Sequence, residues 1–210
     1  MNTKYFRLIP IILLAALFLF GCSTKTKYDR KLKQELASGI RNDSLFMGIY
    51  LGMSQKEFYT QCWKLNQKGI LKQGNRNTTV EYKLKDELKY GATMDFYPVF
   101  AQTKIFEMPV RFFYDGWAPW NKKLGADSLQ LQIVKWYEKQ YGKGFMEVKH
   151  PTRGSAFVKL DGNRRISIFK EDQTYVWAVI TDMTVNRDLV DVNPNGRNIP
   201  ESALKSPQKK

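Results

Sequence analysis

The chain has 210 residues, 43% hydrophobic and 14% aromatic, and a formal net charge of +14. That composition excludes a wholly disordered chain and suffices for one core, or for two small lobes sharing one. A basic balance of this size suits nucleic acid, anionic lipid headgroups, lipopolysaccharide or acidic proteins, and equally the solubility of a charged surface.

In chain order, Lys4 and Arg7 precede residues 8–20, a 13-residue apolar run interrupted only by Pro10. A crossing helix needs about 20 apolar residues, so the run is short for a permanent span and fits the middle of an export signal over residues 1–21. It closes as Leu19-Phe20-Gly21-Cys22. These four residues resemble the lipobox of bacterial lipoproteins, with an aliphatic residue three before the cysteine and a small one directly before it. The resemblance implies a diacylglycerol on the Cys22 thiol, cleavage after Gly21 and acylation of the new amino terminus, although Phe20 is bulkier than the pattern usually carries. Two or more acyl chains hold a protein stably on a membrane. Cleavage would take Lys4 and Arg7 with it, leaving 189 residues and a net charge of +12. In the envelope, nucleic acid is not an expected partner. Acylation would also leave Cys62 a lone thiol, a small hydrophobe on a helix face. Ser23 resembles the residue that follows the cysteine in lipoproteins not retained at the inner membrane, which implies the periplasmic face of the outer membrane.

Residues 22–43 are polar and basic, which suits a tether with at most a short helix near residues 30–37. The globular domain is expected over residues 44–184. It opens with "SLFMGIYLG", a strand or a buried approach to the fold. Ser54 and Glu57 then supply a capping box, Phe58, Cys62 and Leu65 recur at helical spacing, and Gly69 suits a left-handed end. These signals predict a first helix over residues 55–68. From residue 78 to 114, "TTVEYKL", "LKYGATMDFYPVF" and "TKIFEMPVRFFYD" read as antiparallel strands, with Pro98 and Pro109 at strand ends or edges. After the loop "GWAPWNKKLGA", Asp127 is expected to cap a second helix over residues 128–141, closed by Gly142. "FMEVKH", "SAFVKL", "RRISIFK" and "TYVWAVITDM" follow as strands, the middle two joined through Asp161-Gly162-Asn163. Residues 185–210, with three prolines and no aromatic, are expected to be a disordered tail.

A shift of 73 residues lays Ser54 on Asp127, Glu57 on Gln130, Trp63 on Trp136, Gln67 on Gln140 and Gly69 on Gly142. Two explanations stand: duplication of a helix-plus-sheet unit, over residues 44–115 and 125–184, or rules common to building any helix.

Chemistry is marked mostly by absence. His150 is the only histidine, and no zinc-protease motif, phosphate-cradling glycine loop or nucleophile elbow occurs. Asp95, Glu107, Asp115 and Asp182 are the carboxylates that folding would have to gather for acid–base work. No catalytic residue, metal or cofactor is expected, and the chain is not expected to be an enzyme. The stretch most like a binding surface is "FFYDGWAPWNKK", where Tyr114, Trp117 and Trp120 crowd a turn-rich loop beside Lys122 and Lys123. Those five residues suit contact with a partner or ligand; the competing role for two tryptophans beside a sheet is to cover its open end. Asp43-Ser44-Leu45 and Asp127-Ser128-Leu129 resemble Asp-Ser/Thr-apolar sites of periplasmic O-glycosylation, with the helix cap as the alternative role of Asp127.

The expected fold class is α+β: two helices packed on antiparallel β-meanders, with the tandem duplication as its fullest form. A helix after Gly52-Met53-Ser54, followed by a meander on a lipidated chain, resembles the SmpA/OmlA family of small outer-membrane assembly lipoproteins. That resemblance spans residues 48–69 and the order of elements; tandem copies are similar to the β-lactamase-inhibitor-like fold. Both imply a protein-binding scaffold. The expected role is therefore a membrane-anchored envelope lipoprotein acting as a non-catalytic interaction module, or alternatively a binder of an anionic or glycan envelope ligand.

Overall fold

The computed structural model describes residues 24–74, 78–150, 154–186 and 188. The lipobox with Cys22, and the tail from residue 189, lie outside the described residues.

Among the described residues three α-helices form, the two predicted and a longer form of the short helix allowed near residues 30–37. This longer helix, α1 (Thr24–Ala37), occupies most of the stretch expected to be a tether. Next, "SLFMGIYLG" is the buried approach and not the strand, folded as a tight turn: Met47 and Gly48 take positive φ, and one bridge joins Ser44 to Tyr50. The turn is buried because its apolar residues Leu45, Ile49, Leu51 and Met53 point into the core.

At α2 (Gln55–Gln67) the capping box is complete. The Ser54 hydroxyl accepts from the Glu57 amide, and the Glu57 carboxylate accepts from the Ser54 amide at 2.9 Å. Two donors that a helix start leaves unpaired are thereby satisfied. Phe58, Cys62 and Leu65 face the core, and Gly69, at φ 69°, ends the helix.

The second predicted helix, α3 (Ala126–Tyr141), begins two residues before its expected start, so Asp127 is not its cap. Gly125 stands at the N-cap with no side chain to accept from the first turn, and the amide of Ala126 donates to the Gln173 carbonyl at 2.9 Å. Asp127 lies instead in the first turn, where a carboxylate favours the positive helix end, and pairs with Lys170.

The strands are β1 (Lys72–Gln73), β2 (Val80–Leu84), β3 (Ala92–Phe96), β4 (Val99–Ala101), β5 (Lys104–Tyr114), β6 (Met146–His150), β7 (Gly154–Asp161), β8 (Arg164–Lys170) and β9 (Val176–Asp182). They form one antiparallel sheet in the order β1-β2-β3-β5-β9-β8-β7-β6, with β4 paired to β5. The strands before α3 run outward from β5, and those after it run outward from β9. Six register pairs, from Glu107↔Thr181 to Phe112↔Val176, join the two sets.

Pro109 sits inside β5 and not at a strand end. On one side it is opposite Val179; on the other the neighbour changes from β3, ending at Phe96↔Val110, to β4, starting at Val99↔Glu107. A residue without an amide proton fits at such a break.

One face of the sheet makes the core. Met108, Val110, Phe112 and Tyr114 of β5 alternate inward with Val176, Ala178 and Ile180 of β9, against Leu129, Ile133 and Tyr137 of α3 and Phe58 of α2. Each fully buried large side chain contributes about 1.5–3 kcal/mol, so this cluster outweighs any single polar contact.

A polar cluster fastens the chain between α1 and α2 to one end of that sheet. Arg41 reaches both Asp43 and Asp182 at 2.8 Å, the Asn42 amide donates to Asn163 at 2.6 Å, and Arg164 donates to Asp161 and to the Ser44 carbonyl. Burial alone would raise the Asp182 pKa, but hydrogen bonds from the Thr184 hydroxyl and amide and from Arg41 bring it below the usual aspartate value. At the β7–β8 turn, Gly162 takes φ 61°, and a Cβ there would lie 2.3 Å from the Ile40 carbonyl oxygen.

Gly162→Ala is therefore expected to destabilise the fold by about 2–4 kcal/mol, read as a lower urea midpoint, because backbone strain and a backbone clash coincide. Arg41→Ala is expected to cost about 1–2 kcal/mol at neutral pH, the smaller figure reflecting the half-exposed guanidinium. A carboxylate whose pKa is depressed on folding stabilises above its unfolded value of about 3.9 and loses that contribution as acid titrates it through the folded value. The gap between wild type and Arg41→Ala should thus close below about pH 4; a gap that stays constant into acid would show that Asp182 plays no part in it.

Candidate functional site

At the other end of the sheet, β5 runs out into the loop that holds the predicted binding residues. Asp115 and Gly116 turn the chain; the Trp117 amide donates to the Tyr114 carbonyl and the Asn121 amide to the Ala118 carbonyl. A single 3-10 turn, Lys122–Leu124, then leads into α3.

The loop divides its predicted site between the interior and the surface. Tyr114 is 1% exposed, with its ring edge-on to Tyr90 at 5.9 Å and its hydroxyl 3.4 Å from that of Ser128. Burial pushes its pKa up. It therefore lies behind the surface. Trp117 is half-buried and packs on the core, as a side chain covering the sheet's open end does. Trp120 is 86% exposed, and Lys122 and Lys123 are exposed beside it.

Folding adds residues that the loop alone does not announce. Lys89, Tyr90, Lys123, Ser128 and Gln132 line an open depression of about 380 Å³. The Lys89 amide donates to the Gln132 side chain at 2.8 Å, which holds the β2–β3 hairpin against α3, and the Lys89 ammonium lies 5.3 Å from the Tyr90 ring centre. Among the described residues, none of Lys89, Lys122 and Lys123 forms an ion pair. An aromatic wall, a hydroxyl, an amide and unneutralised cations suit a carboxylate, a phosphate or a polar ring presented from outside.

The four carboxylates weighed for acid–base chemistry have separate partners. Asp182 is held by Arg41 and Thr184, Asp115 by Lys83 and Thr93, and Glu107 by Thr181, while Asp95 stands opposite Glu81 and Arg111 in the sheet. Among the described residues no cluster of three or more histidine, cysteine or acidic side chains is placed to hold a metal ion. Cys62 is a free, half-buried thiol whose pKa burial pushes up to about 12, far from the thiolate that redox or nucleophilic chemistry uses. His150 is the last residue of β6.

Comparison with protein-family models, with curated proteins and with solved structures finds no match for this chain.

Proposed function

We propose that this chain is a lipid-anchored envelope protein that docks a partner through the surface formed by Trp120, Lys122, Lys123 and the neighbouring depression, without catalysing a reaction. The observation that carries the docking role is Trp120, 86% exposed beside Lys122 and Lys123, which make no ion pair among the described residues. A large ring held in water and flanked by unneutralised charge is the composition of an interface hot spot waiting for a pocket. The anchor reading is supported by the basic start, the apolar run and Gly21-Cys22. It carries with it the periplasmic face of the outer membrane and the general role of a scaffold, as in the SmpA/OmlA type of lipoprotein.

We also infer that residues 44–115 and 125–184 are copies of one unit. Support comes from the mirrored strand order about β5 and β9, and from a helix ahead of each set of strands. A glycine of positive φ follows each helix, Gly69 one residue past the cap of α2 and Gly142 at the cap of α3. Such a layout makes the molecule one broad platform, which is the shape a docking scaffold needs.

A second reading has its own observation, the depression lined by Lys89, Lys123 and Tyr90, which suits an anionic or glycan ligand of the envelope.

Metabolic labelling with a palmitate analogue is expected to mark the wild-type chain and not Cys22→Ser, and to move the variant into the soluble fraction; label retained by the variant removes the anchor reading. For docking, the full chain carrying a photocrosslinker at residue 122 should give one dominant adduct in intact envelope, and Trp120→Ala should reduce it about tenfold, the loss typical of one hot-spot side chain. Salt sensitivity of a small-molecule adduct would favour the anionic ligand over a protein. No adduct above that of a crosslinker at an unrelated surface lysine would overturn both.

A further inference from the structure

The face of α2 turned away from the core is a second surface, unrelated to the Trp120 loop. Phe58, Cys62 and Leu65 point inward, so helical geometry turns Lys56, Tyr59, Thr60, Trp63 and Gln67 outward. Trp63 is 62% exposed and Tyr59 47%, and Ile70 beyond the helix end is 42% exposed. The Tyr59 ring is also fixed, since its hydroxyl is 2.6 Å from that of Tyr97 and accepts from the Gln55 side chain.

Charge on this segment is predominantly positive. Residues 54–74 contain Lys56, Lys64, Lys68 and Lys72 and a single carboxylate, Glu57, which the capping box already engages. Among the described residues none of the four lysines forms an ion pair. These charges complement an anionic occupant.

We infer that the outer face of α2 rests on the surface of an anionic lipid bilayer, with Trp63 and Tyr59 at headgroup depth and the lysines against phosphates. Two features favour a bilayer over an acidic protein. The exposed apolar part of the face is two rings and Ile70, few anchors for a stable protein interface, which buries about 800 Å² per partner. Tryptophan, tyrosine and lysine on one helix face are also the residues that partition to the membrane–water boundary. The chain's course agrees with this: residues 40–54 run along one end of the sheet, from Ile40 and Asn163 at the β7–β8 turn to the Ser54↔Lys104 bridge at the start of β5. Both α1 and α2 thus join the body at that end, opposite the depression. The inference goes beyond the docking role and does not require Trp120, and its failure would leave that role untouched.

The test uses the full chain reconstituted on vesicles of phosphatidylcholine with about one quarter phosphatidylglycerol, with bromine on the upper acyl carbons as a short-range quencher of indole. The difference between wild type and Trp63→Phe isolates Trp63 from the other four tryptophans. Quenching of that difference signal is expected on the anionic vesicles, falling at least threefold on phosphatidylcholine alone and about tenfold in Lys56→Glu/Lys64→Glu/Lys68→Glu. Circular dichroism of the variants should match wild type, because every changed side chain is exposed. An unquenched Trp63 on a vesicle-bound chain, or quenching indifferent to the lysine reversals, would overturn the inference. So would loss of an envelope protein adduct in Trp63→Ala with Trp63 unquenched, which would assign the face to a protein.

Discussion

The pairing of β5 with β9 is the constraint on which the rest of the molecule depends. Each set of strands on its own, with one helix, is a unit small enough to be marginal in water, because too little of its surface is removed by folding. Joined at this seam, the two share a core in which Met108, Val110 and Phe112 interleave with Val176, Ala178 and Ile180 under α3. The seam forms between strands far apart in sequence. Its closure costs chain entropy first and is repaid only when the core face of the join is packed.

The registers also sort the polar features to opposite ends of the sheet. Where β5 begins and β9 ends lie Arg41, Asp182, Asn163 and Arg164, which hold the incoming chain. Where β5 ends and β9 begins lie Tyr114, the Trp120 loop and the β8–β9 link that supplies the first hydrogen bond to α3. Along the core face between them the side chains are almost wholly apolar. A contact at one end and a contact at the other can therefore be occupied together without competing for space.

What was legible in the sequence was whatever depends on neighbours along the chain. Ser54 and Glu57 marked the start of α2, Gly162 marked a hairpin, and alternating β-branched and aromatic residues marked the strands of an α+β fold. The errors came where a distant segment did the work. Asp127 looked like a cap, but α3 starts two residues earlier, where the β8–β9 link at Gln173 binds its first amide. Pro109 looked like a strand end, but a change of neighbouring strand makes room for it inside β5. At the candidate site the loop's aromatic and basic residues were visible, while Lys89, Tyr90 and Gln132 were not, since nothing local says that a hairpin and a helix will meet. Nor could spacing separate buried Tyr114 from exposed Trp120.

The attachment of residues 40–44 has a mechanical meaning as well. That short segment bonds to the β7–β8 turn at Asn163, to the side chain of Asp161 and to the end of β9 at Asp182, while the Glu35 carboxylate at the foot of α1 accepts from the Gly162 amide. These four hydrogen bonds reach β7, the β7–β8 turn and β9, and the one from Gly162 is made to α1 itself. A pull delivered through α1 and residues 40–44 would therefore enter the sheet at the end opposite the Trp120 loop, and would be spread over two strands and a turn before it reached the core.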